Sequence, residues 1–221
     1  VIDPRATATT ELADLHLPIR AGGDVLLFNT LLAEIARRGA LDVPFIEAHT
    51  RDFPQALANA EKDAHDRPAV AAKLGVSPEA LQTFLDWFVA TPRTLTMFSM
   101  GVNQSSTGTD KVNAIVNCHL ATGRIGKPGA SPFSLTGQPN AMGGREVGGL
   151  ANMLAAHMDL ENPVHRERVQ RFWGAPSIPS RGGLKAVDLF DAMHEGRIKA
   201  VWVMATNPVV SLPNADRVRE A

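Results

Sequence analysis

Apolar positions along this chain recur with two periods, and the switches between them mark its elements. Val25, Leu26, Leu31, Leu32 and Ile35 fall at helical spacing after Gly22-Gly23-Asp24, with Asp24 as a candidate N-cap and Arg37-Arg38-Gly39 as the close. Asp42 to Thr50 reads as a short helix, and residues 53–74 as one or two surface helices. Ser77-Pro78-Glu79 is a strong helix start, an N-cap Ser followed by Pro in the first turn, with Leu81, Phe84, Leu85 and Phe88 as the buried face. Thr109 to Ala121 repeats the pattern with Val112, Ile115, Val116 and Leu120 inward, and Leu184 to Glu195 is amphipathic and ends at Gly196. Between these lie β-branched or continuously apolar runs: Val1-Ile2, Thr94 to Phe98, and Lys199 to Ala205. The last is of the kind that parallel sheets bury on both faces. Residues 123–152 read as loop with one helical turn, Ala151 to His157 as a short helical piece, and 159–182 as surface. Strand and helix alternate, so the fold class is α/β, with Rossmann-like parallel sheets and flanking helices. Trp87, Trp173 and Trp202 read as packing residues.

Each of the three strand runs is followed by a loop of the same chemical style. Asp3-Pro4-Arg5-Ala6-Thr7 follows the first, Ser99-Met100-Gly101-Val102-Asn103-Gln104 the second, and Thr206-Asn207-Pro208 the third. In open parallel sheets, ligands bind outside the carboxyl ends of the strands. Asp, Arg, Thr, Asn and Gln hydrogen-bond bases, riboses and phosphates, and Gly22, Gly23 and Gly101 let backbone approach a ligand closely. The simple dinucleotide fingerprint GxGxxG is absent. A second polar stretch, Thr136-Gly-Gln-Pro-Asn-Ala-Met-Gly-Gly-Arg145, is short on charge and rich in amides. Arg145 stands beside Glu146 in a glycine-rich loop; a guanidinium suits a planar oxyanion, and pairing with Glu146 is the competing reading.

Composition narrows the partners. With 22 basic and 23 acidic residues the net charge is −1, which offers no field to recruit nucleic acid or an anionic membrane. Hydrophobic residues make up 44% of the 221, enough for a core, but no apolar run is long enough for membrane insertion. The one cysteine, Cys118, excludes an internal disulfide and, without a CxxC, a cluster or zinc site built by this chain alone. Its apolar neighbours Ile115, Val116 and Leu120 mark it as a small buried hydrophobe. The chain opens on an apolar run and stops in a charged helical stretch, as an interior piece of a longer polypeptide does.

Val1–Thr7, Gly22–Asp24, Met100–Gln104, Thr122–Ala141 and Val203–Pro208 resemble successive segments of the molybdopterin oxidoreductases that carry two molybdopterin guanine dinucleotides (bis-MGD). The phrases Leu120-Ala-Thr-Gly-Arg-Ile-Gly-Lys-Pro-Gly129 and Pro132-Phe-Ser-Leu-Thr-Gly-Gln-Pro-Asn-Ala141 carry the likeness furthest. Pro after Gln138 favours bacterial nitrate reductase catalytic subunits of the assimilatory type over formate dehydrogenases. The resemblance implies that Asp3, Pro4, Arg5, Ala6, Thr7, Gly22, Gly23 and Asp24 contact one guanine dinucleotide, and that Asn207 contacts the other. It implies that Met100 lies close to the metal, that Gln104 touches pterin or dinucleotide, that Gln138 lines the metal pocket, and that Arg145 stands at the foot of the substrate funnel. The implied cofactors are bis-MGD with molybdenum and a [4Fe-4S] cluster. The implied reaction is two-electron reduction of nitrate to nitrite, fed by an electron-donor protein or reductase subunit, in the cytoplasm. The cluster cysteines and the molybdenum-ligating cysteine of the family are not in this sequence, so the metal ligands lie outside it and the chain alone is expected to be inactive. Residues 1–130 are expected to form a nucleotide-binding-type α/β domain, and 131–221 part of a second whose remainder lies elsewhere. A formate dehydrogenase-like enzyme and a non-catalytic nucleotide- or partner-binding α/β module stay open as alternatives.

Overall fold

The structure, a computed structural model, describes residues 1–138 and 140–221; Pro139 of the Gln-Pro-Asn motif lies outside the described residues. They divide into two compact units, Val1–Thr136 and Gly137–Ala221.

The first unit is built around α1 (Asp24–Arg37), whose Leu27, Phe28, Leu31, Leu32 and Ile35 are buried. It packs against α3 (Phe53–Glu61), α4 (Arg67–Leu74), α5 (Pro78–Ala90) and α7 (Gly108–Ala121). The short α2 (Val43–His49) lies against α7. Wrapped on several sides, α1 buries a face wider than the sequence stripe, and Val25 and Leu26 sit at its edge rather than in it. Helix starts follow local chemistry. Asp42 accepts from Phe45 N (3.1 Å), Asp66 from Ala69 N (3.0 Å) and Ser77 from Ala80 N (3.1 Å), each with Pro in the first turn beyond. Asp24 departs from the expectation: Gly23 takes the N-cap position, and Asp24 is the first helical residue.

β1 (Leu95–Phe98) pairs in parallel with β2 (Ser131–Ser134), Leu95 opposite Ser131 and Phe98 opposite Ser134. The connection between them is the helical turn α6 (Met100–Asn103) and then α7, a βαβ unit. β2 lies in the stretch read as loop, because Pro132 and two serines disguise it; Pro is tolerated since this strand has an open edge. Val1-Ile2 forms no full strand, only a parallel bridge from Ile2 to Leu17. The inward face of α7 is Lys111, Ala114, Ile115, Cys118, His119 and Ala121; Val112, Val116 and Leu120 are displaced to its flanks.

The second unit has a small core of Leu154, Leu160 and Val169. It contains α8 (Ala141–Glu146), α9 (Pro163–Trp173), α10 (Ala186–His194), α11 (Pro208–Ser211) and α12 (Ala215–Glu220). The surface stretch 159–182 thus holds a helix, α9, started by Asn162 and closed by Gly174. The expected strand Lys199–Ala205 is not formed. Val201, Trp202, Val203 and Met204 are exposed, since a ladder needs a neighbouring strand and none stands beside this run among the described residues. Trp87, Trp173 and Trp202 are likewise exposed rather than packed. The chain is α/β and helix-rich, its described sheet being one parallel pair.

Candidate functional site

At the carboxyl end of β1 the first unit opens a cleft of about 420 Å³. Its apolar walls are Ile2, Ile19, Phe28, Val102 and Ile115. Asp3 and Pro4 come from the first loop, Ala21, Gly22 and Asp24 from the turn into α1, and Ser99 and Gly101 from the turn after β1. Asp3 is braced by its own turn: Arg5 N–H donates to its carboxylate (2.8 Å), and the Asp3 carbonyl lies 2.8 Å from His16 Nε2. Gly22 has φ +87° with open space where a side chain would stand, so the backbone there is bare to the cleft. Lys111 enters from α7, its ammonium 2.8 Å from the Asp24 carboxylate. The cleft's charges are then Asp3 and Asp24 against Arg20 and Lys111, a balance of zero.

Four predicted residues therefore meet in one cleft: Asp3, Pro4, Gly22 and Asp24. Others stand outside it. Arg5 and Ala6 are exposed, and the Thr7 N–H donates to Thr10 Oγ1 at a short 3₁₀ turn, Ala8–Leu12. Gly23 backs onto Leu74. Met100 is exposed on α6, and Gln104 caps that turn through its N–H to the Met100 carbonyl (2.9 Å). In the second unit Gln138 is exposed and Asn207 starts α11. Arg145 occupies the last turn of α8 instead of a loop; it is exposed and forms no ion pair with Glu146 among the described residues. Asn140 starts α8 by accepting from Gly143 N (3.2 Å), and a side chain at Gly143 would run into that amide, so only glycine allows the cap.

Sequence reasoning missed two groups near the cleft. Lys111 is one; its signal was a lone cation on the inward face of an amphipathic helix. The other is the pair Thr96–His119. Thr96 lines the cleft, and His119 Nε2 lies 2.8 Å from its hydroxyl. His119 is fully buried, edge-on to Phe88, with Arg124 stacked on the other ring. Burial, with help from the Arg124 charge, lowers its pKa from 6.5 to about 4, so the imidazole is neutral at pH 7. The unfolded chain takes up this proton first. Stability is therefore full above about pH 6.5 and falls as the pH drops toward 4, by roughly 3 kcal/mol in all. His119→Gln is expected to remove that limb from a pH–stability curve; curves that stay parallel would show that His119 is not its source.

Among the described residues, no three His, Cys, Asp or Glu side chains gather to hold a metal. Cys118 is sealed in the core with its thiol toward the Phe28 carbonyl (3.2 Å), and burial pushes its pKa up. No described helix is long and apolar enough to cross a membrane. The cleft offers apolar walls, two carboxylates that can accept from N–H or hydroxyl donors, and bare backbone at Gly22.

A sequence model of the family described as molybdopterin oxidoreductase matches residues 1–221, the whole chain. The chain belongs to the molybdopterin oxidoreductases. A nitrate reductase of Klebsiella oxytoca is 51% identical over all 221 residues, and one of Shewanella frigidimarina 48%. The assimilatory nitrate reductase catalytic subunit of Bacillus subtilis is 34% identical, again over the whole chain. This molybdopterin oxidoreductase chain spans 25%, 24% and 31% of the length of these relatives respectively.

Proposed function

We propose that this chain is the cofactor-holding segment of a molybdenum-dependent nitrate reductase of the assimilatory type, working in the cytoplasm. The observation that carries the reading is a family match over the whole of this chain, in which Asp3, Pro4, Gly22 and Asp24 of the predicted set line one cleft. The cleft holds the nucleoside end of one guanine dinucleotide. Carboxylates at Asp3 and Asp24 accept from its N–H and hydroxyl donors, and Ile2, Phe28 and Val102 flank its base. A charge balance of zero suits a nucleoside better than a pyrophosphate, which would call for surplus cations. Asn207 contacts the second dinucleotide; Met100, Gln104 and Gln138 face the pterin and metal end. Residues 1–130 are the nucleotide-binding-type domain, and 131–221 contribute to a second. The molybdenum ligand and the [4Fe-4S] cysteines are supplied outside this chain, and an electron-donor protein or reductase subunit delivers electrons.

When bound, molybdenum supplies the two-electron oxygen-atom chemistry of NO₃⁻ + 2H⁺ + 2e⁻ → NO₂⁻ + H₂O. Arg145 binds and orients the nitrate, and its fixed positive charge holds the anion against the electrons being delivered.

The test is metal and nucleotide analysis of the purified full-length parent, with nitrite production driven by a reduced viologen dye. Molybdenum, guanine nucleotide and nitrite are all expected. Cofactor without nitrite would leave the family and move the substrate, to formate for example. A parent with neither molybdenum nor guanine nucleotide would overturn the reading and leave a binding module.

A further inference from the structure

We propose that Lys111 is a positioning residue for the dinucleotide: its buried ammonium ties together the first residue of α1 and the turn α6 and holds the Asp24 carboxylate in register. This rests on the cleft being a nucleotide site, as proposed above.

The placement of Lys111 is hard to explain by packing. It sits in the first turns of α7, on the face that carries Ala114, Ile115 and Cys118 into the core. Its side chain is 7% exposed. An ammonium withdrawn from water is costly until its partners repay it, whereas a leucine here would only gain. The ammonium makes one strong contact, Nζ to Asp24 Oδ2 at 2.8 Å, and one long one, Nζ to the Gly101 carbonyl at 3.5 Å. Asp24 opens α1 beside Gly22, and Gly101 follows β1. One ammonium from a third element thus bridges the first residue of α1 and the turn α6, both of which line the cleft. Arg20, the other cation of the cleft, is exposed.

Two consequences follow for a bound nucleotide. With Oδ2 occupied by Lys111, Oδ1 of Asp24 is left to accept from the ligand, in an orientation the ion pair fixes. The ammonium also cancels the Asp24 charge, which would otherwise repel the ligand's phosphates across a small cleft.

The experiment is a GDP titration of the cofactor-stripped full-length protein. Amide exchange over residues 99–104 and the melting temperature are read in parallel. Lys111→Met is expected to weaken GDP binding tenfold or more and to speed exchange in 99–104, while Lys111→Arg, which keeps the charge, recovers most of the affinity. Because Lys111 acts through Asp24, adding Lys111→Met to Asp24→Asn should weaken GDP little beyond Asp24→Asn alone. A core ion pair with no role in positioning would instead lower the melting temperature and leave GDP affinity of the folded fraction unchanged. That result, or fully additive losses in the double variant, would overturn the proposal. If Lys111→Met does not fold, Lys111→Gln carries the same comparison. Wild-type protein that does not bind GDP would instead count against the nucleotide site itself.

Discussion

Replacing Glu34 by alanine is expected to destabilise the first unit by about 3 kcal/mol, the low end of the range for breaking a buried ion pair from one side. Glu34 lies on α1 with 1% of its side chain exposed. Its carboxylate accepts from Arg37 Nε (2.8 Å) and Nη2 (2.6 Å), from Arg38 Nε (2.5 Å), and from Arg67 Nη2. Arg67 belongs to α4, and Arg38 also reaches Asp86 on α5. One carboxylate therefore fastens three helices around the core. The low end is chosen because Arg37 is two-thirds exposed and can turn to water and Arg38 keeps Asp86, leaving Arg67 as the stranded charge. Protection of α1 amides against exchange should fall by a factor of order 100. A change below tenfold would mean that the arginines hydrate without cost.

The same carboxylate sets an acid limb. The Arg37 hydrogen bonds, opposed by burial and aided by Arg38 and Arg67, hold its pKa at about 2 against an ordinary 4.5. Its folded-state value lies below the unfolded one, so its contribution is complete above about pH 4.5 and is lost as the pH falls toward 2. Glu34→Gln should flatten this window and leave intact the one at pH 4–6.5 that belongs to His119.

Glu34 also shows where the sequence is mute. A Glu followed by two arginines at the end of a helix reads as solvated charge, and its burial depends on Arg67, which only the tertiary fold brings near. The legible parts were those decided locally. Asp42 and Ser77 announce their helices because a cap and a proline act within one turn. β1 was legible for its β-branched run, whereas β2 was hidden by Pro132, and its pairing with β1 is long-range. Lys199–Ala205 has the composition of a buried strand but stands exposed, because burial and pairing belong to neighbours and not to the run itself. In the cleft, Asp3 and Pro4 were legible from loop chemistry after an apolar run and Gly22 from its bare backbone, whereas Asp24 was named through the family resemblance, its local signal being a helix cap. Lys111 was missed: its one signal, a cation four residues before Ile115 on the inward face of α7, becomes a site residue only when α1 brings Asp24 to it.

Arg145→Ala in the full-length enzyme is expected to cut kcat/KM for nitrate by about 100-fold, in line with the loss of one well-placed donor to an anion, while molybdenum content stays at the wild-type level. The argument starts from the local fold. Asn140 and Gly143 start α8 tightly, and the Gly148 and Gly149 N–H groups close it onto the Arg145 and Gly144 carbonyls (3.1 and 2.7 Å). The backbone that carries Arg145 is thus anchored at both ends. Its side chain is exposed and takes no carboxylate among the described residues, Glu146 included, so its donors are open to an incoming anion. Nitrate is planar with three equivalent oxygens, and the guanidinium fork can meet two of them at once. Lysine keeps the charge but not the fork, so Arg145→Lys should fall between wild type and alanine. The split between the constants separates two roles. A rise in KM alone would mean that Arg145 gathers and holds nitrate; an equal fall in kcat and kcat/KM would mean that it acts on the reacting state. Kinetics that match wild type with full molybdenum would remove Arg145 from the substrate path.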